Sequence, residues 1–197
     1  MKRPVPTLHP THMVTYADDS TVRDARAQYF AANGFSDAGY ADDWVKIKLG
    51  PIPFTFPNTA TRKRAIPLHD LHHIATGYPT TLRGEAEIAA WEIAGGCTDH
   101  WAAWVLNTSG FAYGLVLAPR RVYRAFMRGR HGRTLYHSGW DDQLLELRVG
   151  ELRRRLATDA APRATWRDRA AFVGWVAMVA APAIGVAALT LALLANR

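Results

Sequence analysis

Two histidines and two carboxylates lie close together in the first half of this sequence. The segment from His69 to Glu85 reads HDLHHIATGYPTTLRGE, in which His69, Asp70, His73 and Glu85 follow the spacing H-D-x-x-H-x11-E. Imidazole nitrogens and carboxylate oxygens are ligands for zinc and for other divalent ions. The same groups also transfer protons at neutral pH. The spacing therefore predicts a metal site or a proton-transfer site.

A turn divides this motif between two predicted helices. The first helix is predicted over residues 64–76, with Pro67 tolerated only in its first turn, and it ends at a glycine-tyrosine-proline sequence. Thr80 or Thr81 caps the second, which continues to about Ala94 before two glycines. We expect this turn to return the second helix antiparallel to the first.

On the first helix, His69 and His73 share a face one turn apart, so both imidazoles can hold one ion. Asp70 lies on the flank of that face, where it either ligates the metal or orients an imidazole. Glu85 arrives from the second helix and closes the site. Two histidines with one carboxylate leave coordination positions open, which is the pattern of a reactive centre.

Other polar groups near the motif are weaker candidates. His72 lies on another face and is predicted not to ligate, whereas Glu92 stays on the face of Glu85 and is a candidate for supporting contacts behind a ligand. Asp99 and His100 are typical of a helix start. A helical histidine pair alone is more often a surface or core feature, so the motif as a whole carries the metal prediction.

The rest of the chain is predicted to be helical, which makes the fold class all-α. Cap residues and apolar spacing predict helices over residues 22–33 and 141–156, and one broken helix or two helices over 101–117. Residues 44–58 contain three prolines and are predicted to form an extended connector without hairpin chemistry. These elements define a helical domain over residues 1–160.

The C-terminal segment 170–195 has Thr190 as its only non-apolar side chain. As a helix it would reach roughly 39 Å, enough to cross a hydrocarbon core of about 30 Å. We predict a single transmembrane helix with a kink at Pro182. The alternative is a buried core helix.

The positive charge is concentrated before this segment. Residues 120–169 contain 13 arginines and six acidic residues, so they carry the whole net charge of +7. We interpret these arginines as a segment that is attracted to anionic lipid, because the basic zone ends where the apolar run begins and Trp166 lies at the border. This places the helical domain on the cytoplasmic side. A solvated helical face is the plain alternative, and without a recognisable nucleic-acid module we predict no nucleic-acid partner.

The single cysteine, Cys97, excludes an internal disulfide and a cysteine-rich zinc site. The N-terminus has basic residues but no apolar run behind them, so a secretory signal peptide is not predicted.

The motif, its threonine-glycine-tyrosine turn and the Gly84-Glu85 pair together resemble the ubiquinone biosynthesis protein 4 family, the coenzyme Q C1-decarboxylases. A later segment from Met127, MRGRHGRTLYHSGWDDQLLELRVGEL, is similar to the end of that family. The resemblance covers roughly residues 40 to 156. The motif is its specific part.

The resemblance implies an α-helical protein that works at membranes on polyprenylated rings. The implied reaction removes the carboxylate from a polyprenylated 4-hydroxybenzoate, alone or coupled to hydroxylation at the same carbon. His69, Asp70, His73 and Glu85 would bind a divalent metal, with zinc the first expectation and iron, cobalt or manganese as alternatives. Asp70 or Glu85 would manage proton transfer, and other quinone biosynthesis enzymes are implied partners. A transmembrane tail departs from the peripheral family pattern.

Three other functions compete with this interpretation. The domain could be a non-catalytic scaffold that binds an isoprenoid lipid for a quinone biosynthesis complex. It could be a membrane-tethered metal hydrolase of another lipid. HD-domain phosphohydrolases also use an adjacent histidine-aspartate pair, but the further histidine and aspartate that they require cannot be assigned in this sequence.

Overall fold

The computed structural model describes residues 7–8, 13–49, 52–97, 100–159 and 163–195. It is mostly helical, which confirms the predicted all-α class. The helices are α1 Val22–Asn33, α2 Ala38–Ala41, α3 Ala60–Thr76, α4 Leu82–Gly95, α5 Trp101–Leu117, α6 Pro119–Gly129, α7 Val149–Leu156 and α8 Trp166–Ala195. Two short 3-10 turns, Leu135–His137 and Asp142–Leu145, lie between α6 and α7.

Among the described residues, four strands accompany the helices: β1 Thr7–Leu8, β2 Val14–Thr15, β3 Trp44–Leu49 and β4 Ile52–Pro57. β3 and β4 form an antiparallel hairpin, so the prediction of an extended connector without a hairpin was wrong. Pro53 and Pro57 pair with Lys48 and Trp44. Each strand of a two-stranded sheet is an edge strand, where a missing proline N–H is tolerated.

The helix that carries the histidines starts earlier than predicted. Thr59 caps α3 by accepting a hydrogen bond from the Arg62 amide, and Gly77 ends the helix with a left-handed φ of 80°. Pro67 therefore lies in the helix interior, and the expectation that it fits only the first turn was wrong. A proline there removes one backbone hydrogen bond. The packing of buried Leu68 and Leu71 on the core offsets that loss.

α4 and α5 pack antiparallel and very closely. A Cβ atom added to Gly110 would lie 2.7 Å from the Cβ of Ala89, and one added to Gly114 would lie 2.6 Å from that of Ala86. Small side chains at these positions allow the two backbones to approach. α5 is one continuous helix, so its predicted break was wrong. Its polar residues are accommodated: Asn107, for example, is buried and hydrogen-bonded to Glu92.

The predicted helix 141–156 is divided in the structure. The 3-10 turn Asp142–Leu145 is followed by α7, and residues between them pair with the segment before α1. The amide of Val22 donates to the Leu147 carbonyl, and the amide of Val149 donates to the Ser20 carbonyl. These long-range bonds occupy the Leu147 carbonyl and the Val149 amide, which would bond within the helix if it were continuous.

α8 confirms the predicted C-terminal helix, and its first half packs on the domain. Phe172 contacts the rings of Phe111 and Phe126, and Trp175 contacts Phe111. Within the described residues no helix combines the length and the apolar character needed to cross a membrane, so the predicted transmembrane span is not supported. The side chains of residues 183–195 lie outside the description.

The first turn of α8 is fixed by a capping box, and its removal should destabilise this helix. The Thr165 amide donates to the Asp168 carboxylate at 2.8 Å, and the Asp168 amide donates to the Thr165 hydroxyl. Arg130 also donates to Asp168. We expect Asp168→Ala to lower the free energy of unfolding by about 1 kcal/mol at pH 7, measured by urea denaturation.

The pH dependence of this loss has a defined sign. Hydrogen bonds from Thr165, with the Arg130 contact, hold the pKa of Asp168 below its ordinary value. The stabilisation is therefore complete above the unfolded pKa of about 4 and is lost as the pH falls through the folded value. A difference between wild type and Asp168→Ala that stays constant far into acid would contradict the ionic part of this explanation.

Cys97 lies in the core, where we expect it to be chemically inert. Its side chain is buried, and desolvation, with the nearby Glu92 carboxylate, raises its thiol pKa to about 12. Because the thiolate is the reactive form, the folded protein should not react with a thiol reagent at pH 8. One equivalent should react after denaturation. Rapid reaction of the folded protein would contradict the placement of this side chain.

Candidate metal centre

Three of the four motif side chains converge between α3 and α4. The Nε2 atoms of His69 and His73 lie 3.1 Å apart. The two carboxylate oxygens of Glu85 lie 3.5 Å and 3.4 Å from these nitrogens. A tetrahedral ion with bonds of 2.0–2.1 Å has ligand atoms about 3.3 Å apart. The three groups therefore have the spacing of zinc ligands.

The local sequence explains why they meet. His69 and His73 are one turn apart on α3, and the Gly77 turn directs the chain back toward α4. Thr81 caps α4 by accepting a hydrogen bond from the Gly84 amide, which places Glu85 in the first turn. A Cβ atom at Gly84 would lie 1.9 Å from the Pro79 carbonyl oxygen, so this close turn requires glycine.

Hydrogen bonds fix both imidazoles in the form that exposes Nε2 as an electron-pair donor. Nδ1 of His73 lies 2.8 Å from the Tyr78 carbonyl oxygen, and Nδ1 of His69 lies 2.9 Å from a Glu92 oxygen. Both partners accept hydrogen bonds, so each Nδ1 carries the proton. The two Nε2 atoms then face each other at hydrogen-bond distance, so a proton on one of them or a cation between them must offset the repulsion of their lone pairs.

The electrostatics of the centre also favour a cation. Burial lowers the pKa of His69, but Glu92 and Glu85 outweigh burial and hold this pKa well above its ordinary value. Burial raises the pKa of Glu85, but the two histidines outweigh it and hold that pKa well below its ordinary value. Two ionised carboxylates thus flank two imidazoles, and the group can hold a divalent ion.

Glu92 is the buried support of this centre. One of its oxygens accepts from Nδ1 of His69 and, at 2.6 Å, from Nδ1 of His72. The other accepts from the Asn107 amide at 2.6 Å and from the Tyr136 hydroxyl at 2.9 Å. The side chain has no solvent exposure. From the sequence alone, Glu92 is only a weak candidate for such support.

His72 is not in the donor group, as its predicted non-ligating role requires. Its Nε2 accepts a hydrogen bond from the Leu135 amide at 2.8 Å, so its Nδ1 must carry the proton that is donated to Glu92. Burial lowers the pKa of His72 and keeps the ring neutral. His72 therefore connects α3 to the segment that follows α6.

Asp70, the fourth predicted ligand, is not in the donor group, and this part of the metal prediction is corrected. Its carboxylate accepts hydrogen bonds from the hydroxyls of Tyr29, at 3.1 Å, and Tyr40. Desolvation raises the pKa of Asp70 despite these contacts. The Tyr29 ring stacks on His73 with 5.7 Å between centroids. Asp70 thus acts on the centre through Tyr29.

The centre is open on the Glu85 side. The Glu85 side chain is 35% exposed and that of His69 is 19% exposed, whereas His73 is almost fully buried. Three protein donors leave at least one coordination position for water or substrate. Tyr113 stands near this opening, and burial together with the Glu85 charge raises its pKa to about 12.

Sequence reasoning missed the side chains that support the centre. Tyr40, Asn107 and Tyr136 contact Asp70 or Glu92 from α2, from α5 and from the turn after α6. Tyr29 lies in the helix predicted over residues 22–33, but its contact with Asp70 was not predicted. The one available signal was the polar interruption at Asn107 within an apolar run.

Comparison with known proteins returned no matching family model, no matching curated protein and no matching solved structure. The resemblance to the ubiquinone biosynthesis family therefore depends on the motif residues and on the later segment quoted above.

Proposed function

We propose that this chain is a metal-dependent decarboxylase of a polyprenylated 4-hydroxybenzoate in quinone biosynthesis. The observation that supports it is the open centre of His69, His73 and Glu85, whose donor atoms have metal-ligand spacing. The substrate class is taken from the motif resemblance. Zinc suits two imidazoles and a carboxylate, and iron, cobalt or manganese suit the same donors.

The metal, when bound, would supply a Lewis acid that holds a substrate oxygen and stabilises developing charge. Loss of carbon dioxide breaks the bond between the carboxyl and the ring carbon and leaves its electron pair on that carbon. The carbon must then take up one proton. Glu85 reaches both the donor group and solvent, so we assign to its ionised carboxylate the orientation of the water that delivers this proton.

Asp70 has a different task in this proposal. Its two oxygens are occupied by tyrosine hydroxyls inside the protein, so it cannot reach a substrate without losing them. It holds Tyr29 against the His73 ring and thereby fixes the direction of His73 Nε2. Asp70 is therefore a positioning residue in place of the catalytic residue predicted from the sequence.

A polyprenyl tail partitions into lipid, so this activity would operate at a membrane, together with other enzymes of the same pathway. The C-terminal anchor with a cytoplasmic domain stays a prediction.

The direct experiment is purified protein with a geranylated 4-hydroxybenzoate that carries ¹³C in its carboxyl group. We expect metal-dependent release of labelled carbon dioxide, reduced more than about 100-fold by Glu85→Gln. Glu87→Gln is the matched control, because Glu87 lies on the same helix and pairs with Arg121. Hydrogen or hydroxyl at the ring carbon of the product distinguishes simple from oxidative decarboxylation, and the oxidative reaction requires dioxygen.

Absence of carbon dioxide release with every metal, with and without oxygen, would count heavily against the proposal. The scaffold function would instead be supported if a His73→Ala, Glu85→Ala double variant still restored quinone synthesis in a deletion strain.

A further inference from the structure

One end of the helical bundle exposes apolar side chains beside arginines. α4 begins, α5 ends and α6 begins there, and we call it the Leu117 end, made of Leu82, Arg83, Val116, Leu117 and Arg120. Val116 is 88% exposed, Leu82 is 62% exposed and Leu117 is 42% exposed. Such a group of large apolar side chains is unusual on a surface that meets only water.

Contacts join Leu82, Arg83, Leu117 and Arg120, and Val116 adjoins Leu117 at the end of α5. The Tyr113 hydroxyl donates to the Leu82 carbonyl, which joins the end of α5 to the start of α4. Arg83, Leu117 and Arg120 line the same shallow depression of about 290 Å³. The antiparallel packing of α4 on α5 thus brings together side chains that are more than 30 residues apart in sequence.

The arginines of this surface are available for an external anion. Arg121 is paired with Glu87 at 2.6 Å, but Arg83 and Arg120 have no carboxylate within ion-pair distance among the described residues. Guanidinium groups beside exposed apolar side chains match a lipid surface, where the arginines contact headgroup phosphates and the apolar groups enter the acyl boundary.

The position of this surface relative to other features supports a lipid partner. Leu82 precedes Glu85 by three residues on α4, so one residue of the Leu117 end lies about one helical turn before a donor of the metal centre. α8 runs toward the same end, since Asp168 contacts Arg130 whereas Trp175, further along α8, contacts Phe111.

We propose that the Leu117 end docks on an anionic bilayer surface. Leu82, Val116 and Leu117 enter the interface, and Arg83 and Arg120 bind lipid phosphates. This inference depends on the exposed side chains and their charges, and it holds whether or not the centre decarboxylates a substrate.

The test uses the full-length chain with an environment-sensitive fluorophore at Val116→Cys or, as matched control, at Trp101→Cys. Trp101 is 63% exposed on the same helix, about 22 Å from Val116. The native Cys97 is buried and should not be labelled. With vesicles of phosphatidylcholine and phosphatidylglycerol, we expect a blue shift and quenching by brominated lipid at position 116 and none at position 101.

Replacing Arg83 and Arg120 by alanine should weaken vesicle binding by about fivefold for each residue. Pure phosphatidylcholine vesicles should give a much smaller shift at position 116. The proposal is overturned if the protein does not bind the anionic vesicles, or if both labels respond equally. It is also overturned if the label at position 116 shifts with protein concentration in the absence of lipid, since a second copy would then be the partner.

Discussion

Replacing His73 by alanine should abolish tight binding of a divalent ion, whereas Asp70→Asn should leave an ion bound. His73 supplies one of three donors, and its Nε2 lies 3.1 Å from that of His69. Two donors remain after the substitution, too few for a stable protein site. We expect an affinity loss of more than about 100-fold, since even supporting contacts behind a ligand contribute about 10- to 100-fold.

The Asp70 variant makes this a test of the structure and not only of the motif. Asp70 belongs to the H-D-x-x-H sequence, but its carboxylate is held by Tyr29 and Tyr40. We expect Asp70→Asn to keep one equivalent of metal with an affinity reduced about 10-fold or less, because only the Tyr29 support of His73 is disturbed. Isothermal titration with zinc, together with elemental analysis of the purified variants, measures both effects.

Two results would contradict the assignment. Equal loss of metal in Asp70→Asn and His73→Ala would restore Asp70 as a ligand. Unchanged zinc affinity in a folded His73→Ala protein would mean that the three donors do not form the site. Circular dichroism of each variant shows whether the fold is kept.

The parts of the structure that the sequence predicted are those determined locally. The ends of α1, α3 and α4 follow from glycines that adopt a left-handed or open conformation, and the start of α4 follows from its threonine cap. The spacing of His69 and His73 on one face follows from helix geometry alone. Glu85 needed only a short turn that returns the chain toward α3, so three donors could be predicted from seventeen residues of sequence.

The choice between Asp70 and Glu92 could not be made from local spacing. Both lie near the donors along their helices. The tyrosines that bind the Asp70 carboxylate, and so keep it out of the donor group, lie on α1 and α2, 41 and 30 residues earlier in the chain. The hydrogen-bond donors to the second Glu92 oxygen are Asn107 and Tyr136, up to 44 residues later in the chain. Local spacing also fails to predict the hairpin of β3 and β4 and the division of the helix before α7. Each of these features depends on backbone pairing between separate segments.

Glu92→Ala should cause the largest loss of stability of any single change near the centre. Glu92 has no solvent exposure and accepts hydrogen bonds from His69, His72, Asn107 and Tyr136. Removal of the carboxylate leaves four donors without a partner, and His72, Asn107 and Tyr136 are buried. Breaking a buried charged pair from one side costs about 3–5 kcal/mol. We expect a decrease of this size in the free energy of unfolding, measured by urea denaturation without added metal.

The same variant should also bind zinc about 10- to 100-fold more weakly, because His69 loses the acceptor that fixes its proton on Nδ1. Tyr136→Phe is the milder control, because it removes one hydrogen-bond donor from the other Glu92 oxygen. We expect it to lower the free energy of unfolding by about 1 kcal/mol and to leave the zinc affinity unchanged. Parallel losses of zinc affinity in both variants would indicate that general loosening of the core, and not the orientation of His69, weakens the site. An unchanged zinc affinity in a folded Glu92→Ala protein would show that Glu92 stabilises the core without preparing the metal ligands.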